Sequence, residues 1–165
     1  MTVALRAKTE TADIDRYRRL VREGTAEPHG YTALLGERRA DLDTPTLVAM
    51  VESGLPYRSL ERFRRNLDLP MPRLAEVVRI RPRTLSRRKR SGRLEADESD
   101  RLLRASRVFG RSLALFETDA EAARAWLRRP APALGGAVPL DLLGTEVGAR
   151  DVETLIERLE HGVFT

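Results

Sequence analysis

The chain contains no cysteine, which excludes a disulfide framework, a thiol nucleophile and a thiolate zinc site. It has two histidines, His29 and His161, so most catalytic and metal-binding constellations are excluded as well. No apolar run approaches the ~20 residues that span a bilayer, and Met1 to Glu10 lacks the apolar stretch of a signal peptide. A cytoplasmic protein with no membrane partner is therefore expected. Nothing alternates apolar and polar residues long enough to make a strand, so the chain reads as all-α.

What is present is a chain of 165 residues, 41% hydrophobic and 33% charged. That is enough to bury a core beneath a densely charged exterior, as one ordinary domain or two small ones. The net charge of +5 becomes informative once it is divided. Residues 1–78 carry 13 basic and 12 acidic groups, 79–93 carry eight and none, 94–129 carry seven of each, and 130–165 carry two and six. The basic excess sits in one fifteen-residue window, and the C-terminal segment is acidic. Such asymmetry predicts two surfaces with two different partners.

Helical spacing of apolar residues predicts a first helix over 12–23 that buries Ile14, Tyr17 and Val21. A second starts at Thr44, read as its N-cap ahead of Pro45, and stops at Ser53-Gly54. Tyr57 to Leu67 follows, burying Leu60, Phe63 and Leu67. Short helices are expected over 73–78 and from Pro82 to about Arg90, where Ser91-Gly92 closes the second. A long helix over 96–116 joins the two halves. Thr118 and Glu121 read as a capping box for the helix containing Trp126. After a turn-rich stretch with Gly135-Gly136, Pro139 opens a helical turn, and a last helix runs from about Arg150 to Glu160. His161 is placed to cap that helix.

The window 72–93 matches helix-turn-helix physics. Leu74, Ala75 and Val78 are the inner contacts of a first helix, Ile80 packs the turn and Leu85 anchors the second. Arg83, Thr84, Ser86, Arg87 and Arg88 then point outward, where arginine can grip guanine O6/N7 and the hydroxyls can bond bases or phosphates. Lys89, Arg90 and Arg93 are assigned to phosphate. No acid is interspersed, and eight uncompensated cations make more sense opposite a polyanion than as a solvated face. No aromatic residue interleaves them, which favours DNA over single-stranded RNA.

The stretch Arg83-Thr-Leu-Ser-Arg-Arg-Lys-Arg-Ser-Gly-Arg-Leu, followed by Ala96-Asp-Glu-Ser-Asp-Arg-Leu-Leu-Arg-Ala, resembles the Xre/ParS/MbcA antitoxin family. So do Ala123-Arg-Ala-Trp-Leu, Pro130-Ala-Pro-Ala-Leu-Gly-Gly, Pro139-Leu-Asp-Leu-Leu and Gly148-Ala-Arg-Asp-Val-Glu, in order and spacing. The resemblance covers roughly residues 44–165. It implies a helix-turn-helix bundle over 44–93, a connecting and dimerisation helix over 94–117 and a small helical toxin-binding domain over 118–165, with 1–43 a partly helical extension. It further implies a homodimeric antitoxin of a type II toxin-antitoxin system, which binds operator DNA, represses its own operon and neutralises a RES-domain toxin that degrades NAD. The toxin-binding positions would be Gly135, Gly136, the last helix with Arg150, Asp151 and Glu157, and the chain end Gly162, Val163, Phe164 and Thr165. One departure is Arg79, where many helix-turn-helix proteins carry glycine; it puts the usual turn geometry in question.

A stand-alone transcriptional regulator with a protein-binding C-terminal domain is the alternative. An enzyme, such as a nuclease, would need an acid cluster or a general base near the basic helix. Asp97, Glu98 and Asp100 are near, but at a helix start they serve the helix dipole, so neither catalysis nor a cofactor is expected.

Overall fold

The structure, a computed structural model, describes residues 11–39 and 41–162. Its helices are α1 (Ala12–Arg22), α2 (Thr44–Ser53), α3 (Tyr57–Leu67), α4 (Met71–Val77), α5 (Pro82–Ser91), α6 (Ala96–Leu115), α7 (Ala120–Leu127), α8 (Pro139–Leu142) and α9 (Glu146–Glu160). Two 3-10 segments, Gly30–Leu35 and Pro132–Leu134, complete them. Among the described residues, Pro56 and Arg93 make one isolated antiparallel bridge and there is no sheet. The all-α expectation holds.

Helix α6 is the axis of the molecule. Leu102, Ala105, Val108, Phe109 and Leu113 are fully buried, and α9, α2, α7 and the Gly30–Leu35 segment all pack around it. These residues are covered by other elements of the same chain, while Leu103, Leu115 and Phe116 are only partly buried. The helix does not bridge two separate cores. One hydrophobic cluster runs from Ile14 to Ile156, because a helix buried on several sides needs neighbours from both chain halves.

The N-terminal extension belongs to that core. Ile14, Tyr17, Leu20, Tyr31, Leu34 and Leu35 are buried, and the Tyr17 hydroxyl donates to the Gly110 carbonyl of α6 at 2.9 Å. Asn66 of α3 is completely buried. Its amide donates to the Leu34 carbonyl (2.6 Å) and to Asp13 Oδ2 (3.2 Å), and its side-chain oxygen accepts from Thr11. Arg62 pairs with the same Asp13 at 3.1 Å, and buried Arg124 of α7 donates to the Asn66 carbonyl at 2.8 Å. A satisfied buried network of this kind fixes how three chain segments meet, since any unpaired member would pay its desolvation.

Two helix starts differ from expectation for one reason, a competing polar side chain one residue away. Asp43 rather than Thr44 caps α2, accepting from Thr46 N at 2.9 Å. Asp119 rather than Thr118 caps α7, accepting from Glu121 N and Ala122 N at 3.1 Å. The capping box is instead at α6, between Glu95 and Glu98. Helix α9 begins four residues before Arg150, because Thr145 caps it through Gly148 N.

Candidate nucleic-acid and partner interfaces

Helices α4 and α5 form the helix-turn-helix. Leu74, Ala75, Val77, Val78 and Ile80 are buried, and Leu85 packs against the same cluster from α5. Between them Arg79 adopts φ 56°, the left-handed conformation that the turn requires and glycine usually supplies. Ile80 N donates to the Ala75 carbonyl (2.8 Å) and Arg79 N to the Glu76 carbonyl (3.1 Å), a complete Schellman closure. The turn therefore keeps its usual geometry with an arginine in it. Gly144 packs against this turn, where an added Cβ would sit 2.6 Å from Arg79 Nε and 3.0 Å from the Val77 carbonyl oxygen. Arg101 Nε donates to the Val78 carbonyl at 2.7 Å, and Arg73 pairs with Asp141 of α8. The turn is thus seated directly on the C-terminal part of the chain.

The basic helix sorts into two groups. Arg83, Ser86, Arg87, Lys89 and Arg90 are exposed and Thr84 is half-buried. At ~100° per residue, Arg83, Arg87 and Arg90 share one outward stripe. No ion pair or side-chain hydrogen bond reaches Arg83, Arg87, Lys89 or Arg90 among the described residues. The hydroxyl of Ser86 donates to its own helix, at the Pro82 carbonyl (3.3 Å). Arg81 is also exposed and stands at the N-cap of α5. It belongs to the same basic surface, though the sequence reading gave it no role.

Arg88 is paired with acids of the protein itself, so the picture of eight uncompensated cations is corrected at that residue, whereas exposed Arg93 is anchored only to backbone carbonyls. Arg88 Nε donates to Glu98 Oε2 at 2.8 Å, and Glu95 lies 3.2 Å from its Nη1. The side chains of Arg88 and Glu98 are 12% and 6% exposed, and the hydrogen bond that Arg88 donates to Glu98 pushes the Arg88 pKa up. Glu98 also accepts from Glu95 N at 2.9 Å, so one carboxylate closes the α6 cap and ties α5 to it. Arg93 Nη1 donates to the Gly54 carbonyl at 2.6 Å, at the C-terminal end of α2. Along the chain the window has no acid; in space, the start of α6 supplies two.

The candidate partner surface divides similarly. Gly135 and Gly136 are exposed at φ 66° and 81°, in a turn closed by Ala131 N to the Ala137 carbonyl (2.9 Å) and Gly136 N to the Ala131 carbonyl (3.0 Å). Arg150 and Asp151 are exposed on α9. Asp151, Thr154, Leu155 and Arg158 border a groove of about 390 Å³ completed by Ala133, Leu134 and Leu142. Glu157 instead faces α6, paired with Arg111 at 2.8 Å. Arg107–Glu153 (2.6 Å) and Arg104–Glu146 (3.0 Å) continue this ladder. Gly162 ends the described chain at φ 69°, and His161 Nδ1 lies 2.7 Å from the Glu157 carbonyl, a helix-end contact as expected. Val163, Phe164 and Thr165 lie outside the described residues. The sequence reading overlooked Val147, a large apolar side chain 74% exposed at the start of α9.

Residues 46–107 match the antitoxin Xre-like helix-turn-helix domain family, and residues 112–162 match the antitoxin Xre/MbcA/ParS C-terminal toxin-binding domain family. The chain is 36% identical over 122 residues to an antitoxin Xre of Photorhabdus laumondii, covering 73% of this chain and 82% of the relative. It is 35% identical over 120 residues to an antitoxin Xre of Yersinia enterocolitica, covering 72% and 81%. A protein of Sphingobium sp. named Prs ADP-ribosylating antitoxin is 26% identical over 146 residues, covering 83% and 89%.

Proposed function

The chain belongs to the antitoxin Xre family, and from that premise we propose that it is the antitoxin of a type II toxin-antitoxin system, neutralising a RES-domain, NAD-degrading toxin by direct binding and repressing its own operon. The observation that carries the reading is the pairing, in one core, of an outward basic stripe on a helix-turn-helix with a C-terminal domain of the toxin-binding family. In this reading Arg83 and Arg87 address base edges, Thr84 and Ser86 bases or phosphates, and Lys89 and Arg90 phosphates. Arg88 positions the helix from behind, and Arg93, exposed on the same surface as Lys89, joins the phosphate contacts. The protein acts in the cytoplasm as a homodimer, by binding rather than catalysis and without a cofactor; the NAD chemistry belongs to the toxin.

Toxin binding falls to the Gly135-Gly136 turn, to Arg150, Asp151 and the adjacent groove, and to Gly162 with Val163, Phe164 and Thr165 reaching toward the toxin's active site. Glu157, exposed and paired with Arg111, is a further toxin contact on the same helix. An acidic C-terminal segment suits competition with an anionic dinucleotide. The name of the Sphingobium relative favours a second reading, in which the neutralised enzyme transfers ADP-ribose to a protein; that chemistry also consumes NAD.

The test is co-expression with the product of the adjacent gene, followed by co-purification and measurement of NAD loss with and without a protein acceptor. The intact chain is expected to abolish NAD loss and to bind the promoter upstream of its own gene. The chain lacking Val163 to Thr165 is expected to keep promoter binding and its melting temperature while inhibiting poorly. Full inhibition by that truncation would move the site to the Gly135-Gly136 turn and the α9 groove.

A further inference from the structure

We propose that the cavity between the N-terminal extension and α3 is a binding site for a small organic anion, one that carries a carboxylate or phosphate head on an apolar body. Only the promoter measurement below depends on the functional reading; the site itself does not.

The cavity, of about 430 Å³, falls within the size range of small-molecule sites. Its floor is apolar: Leu35 and Leu47 are buried, and Met50 of α2 and Leu103 of α6 are partly buried beside them. Its mouth is basic. Arg38, just past the Gly30–Leu35 segment, and Arg58, in the first turn of α3, line it and are exposed. Neither guanidinium makes an ion pair or a hydrogen bond among the described residues. The other charged residues of the lining are engaged elsewhere. Arg62 pairs with Asp13 at 3.1 Å, and Glu37 accepts from the Arg38 and Arg39 amides at 2.9 Å and pairs with the Arg39 guanidinium. Two cations are thus left without an anion beside an apolar floor.

The start of α3 points the same way. It has no capping side chain and no acid in its first turn. The macrodipole is positive there and favours an anion, so Arg58 stands where a cation is unfavourable for the helix alone. Tyr57 N donates to the Gly92 carbonyl and Ser59 N to the Pro56 carbonyl, both at 2.9 Å, whereas the Arg58 amide has no backbone acceptor among the described residues.

Ser59 supplies the independent sign of a ligand. It lines the cavity at 7% exposure, and its hydroxyl makes no hydrogen bond among the described residues. A helical serine often donates to the carbonyl four residues back; here that carbonyl, of Leu55, accepts from Leu94 N at 2.9 Å. A buried hydroxyl without a partner is costly. An oxygen of a bound anionic head would accept from it, with Arg38 and Arg58 as the opposite charges.

Arg58 also borders the surface that carries Lys89 and Arg93, so the phosphodiester backbone of DNA is the competing occupant. A duplex lying across that surface leaves the floor of Leu35, Leu47, Met50 and Leu103 uncovered. An anionic head on an apolar body uses both halves of the cavity, which is why the small molecule is favoured.

The experiment uses the full-length chain, free of toxin and DNA, and two fluorescent probes with the same apolar body. Anilinonaphthalene sulfonate carries an anionic head; phenylnaphthylamine is neutral. Titration should show one saturable sulfonate site per chain, with a Kd of roughly 10–100 µM. Replacing Arg38 and Arg58 together by alanine should weaken the sulfonate probe by about tenfold or more and leave phenylnaphthylamine unchanged. Ser59→Ala should weaken the sulfonate probe by roughly 3- to 10-fold. Met50→Trp, which fills the floor, should exclude both probes. Thermal melts of the variants should match the parent. A parent chain with no saturable sulfonate site overturns the proposal. So does sulfonate binding undiminished by any of these variants, or an equal loss of both probes from the double variant. Promoter binding separates the DNA backbone from the small anion. An Arg58→Ala chain that loses promoter affinity but binds the sulfonate probe as the parent does assigns Arg58 to DNA and overturns the site. Loss of the probe with promoter affinity unchanged supports it.

Discussion

Two rows of arginine run along two helices of this protein at nearly the same spacing and meet opposite fates. Arg104, Arg107 and Arg111 of α6 lie three and four residues apart, and Glu146, Glu153 and Glu157 of α9 answer each of them. Arg83, Arg87 and Arg90 of α5 lie four and three apart, and none is answered among the described residues. The first row fastens the last helix to the centre of the molecule. The second leaves three permanent cations side by side in water, where they repel one another unless a polyanion arrives. Spacing alone does not tell a structural arginine from a ligand-binding one; the facing helix does.

That contrast can be tested residue by residue. The largest effect is expected at Arg88, which sits in the basic helix but behaves like the α6 row. Arg88→Ala strands the buried Glu98 carboxylate and should cost about 3 kcal/mol of stability, which lowers the melting temperature by roughly 6–12 °C. Replacing Arg88 and Glu98 together by leucine should recover part of that loss. A melting temperature unchanged in Arg88→Ala would move Arg88 into the outward group.

Next come Arg83→Ala and Arg87→Ala. Each should lower affinity for the promoter duplex by roughly 5- to 150-fold and relax base preference, with stability within about 0.5 kcal/mol of the parent. Gel shifts on matched and mismatched duplexes, with a thermal melt, separate these outcomes. Unchanged binding in both variants would end the assignment of α5 as the reading helix.

Arg107→Ala should do the reverse, losing about 1 kcal/mol of stability, discounted for its partial exposure, while promoter binding stays constant. The smallest effect belongs to Lys89→Ala, which should weaken all duplexes alike and reduce the slope of log affinity against log salt by about one. A base-dependent loss would show that Lys89 reads sequence.

The N-terminal extension shows where sequence reading fell short. The spacing of Ile14 and Tyr17 announced an amphipathic helix, and both are buried. Its destination was illegible, because the buried Asn66 that receives it stands in α3, 53 residues beyond Asp13, among ordinary surface-type residues. Arg79 was legible as an anomaly, but that its side chain packs against Gly144, 65 residues on, was not. Val147 carried no signal at all, for it stands before the expected start of the last helix, which begins at Glu146.

By itself the sequence determined what is local or compositional. Helix propensity, apolar periodicity and turn residues settled the all-α class, the run of helices from Tyr57 to Gly92 and the closing residue Gly92, because each depends on neighbours within four or five positions. Composition located the one strongly basic window. Tertiary structure alone decided which cations in that window remain free, which face of α6 is spent, and which side of α9 is open. Those outcomes depend on charges and surfaces brought together from distant parts of the chain, and a buried carboxylate such as Glu98 changes the role of an arginine ten residues away only once folding has excluded water from between them.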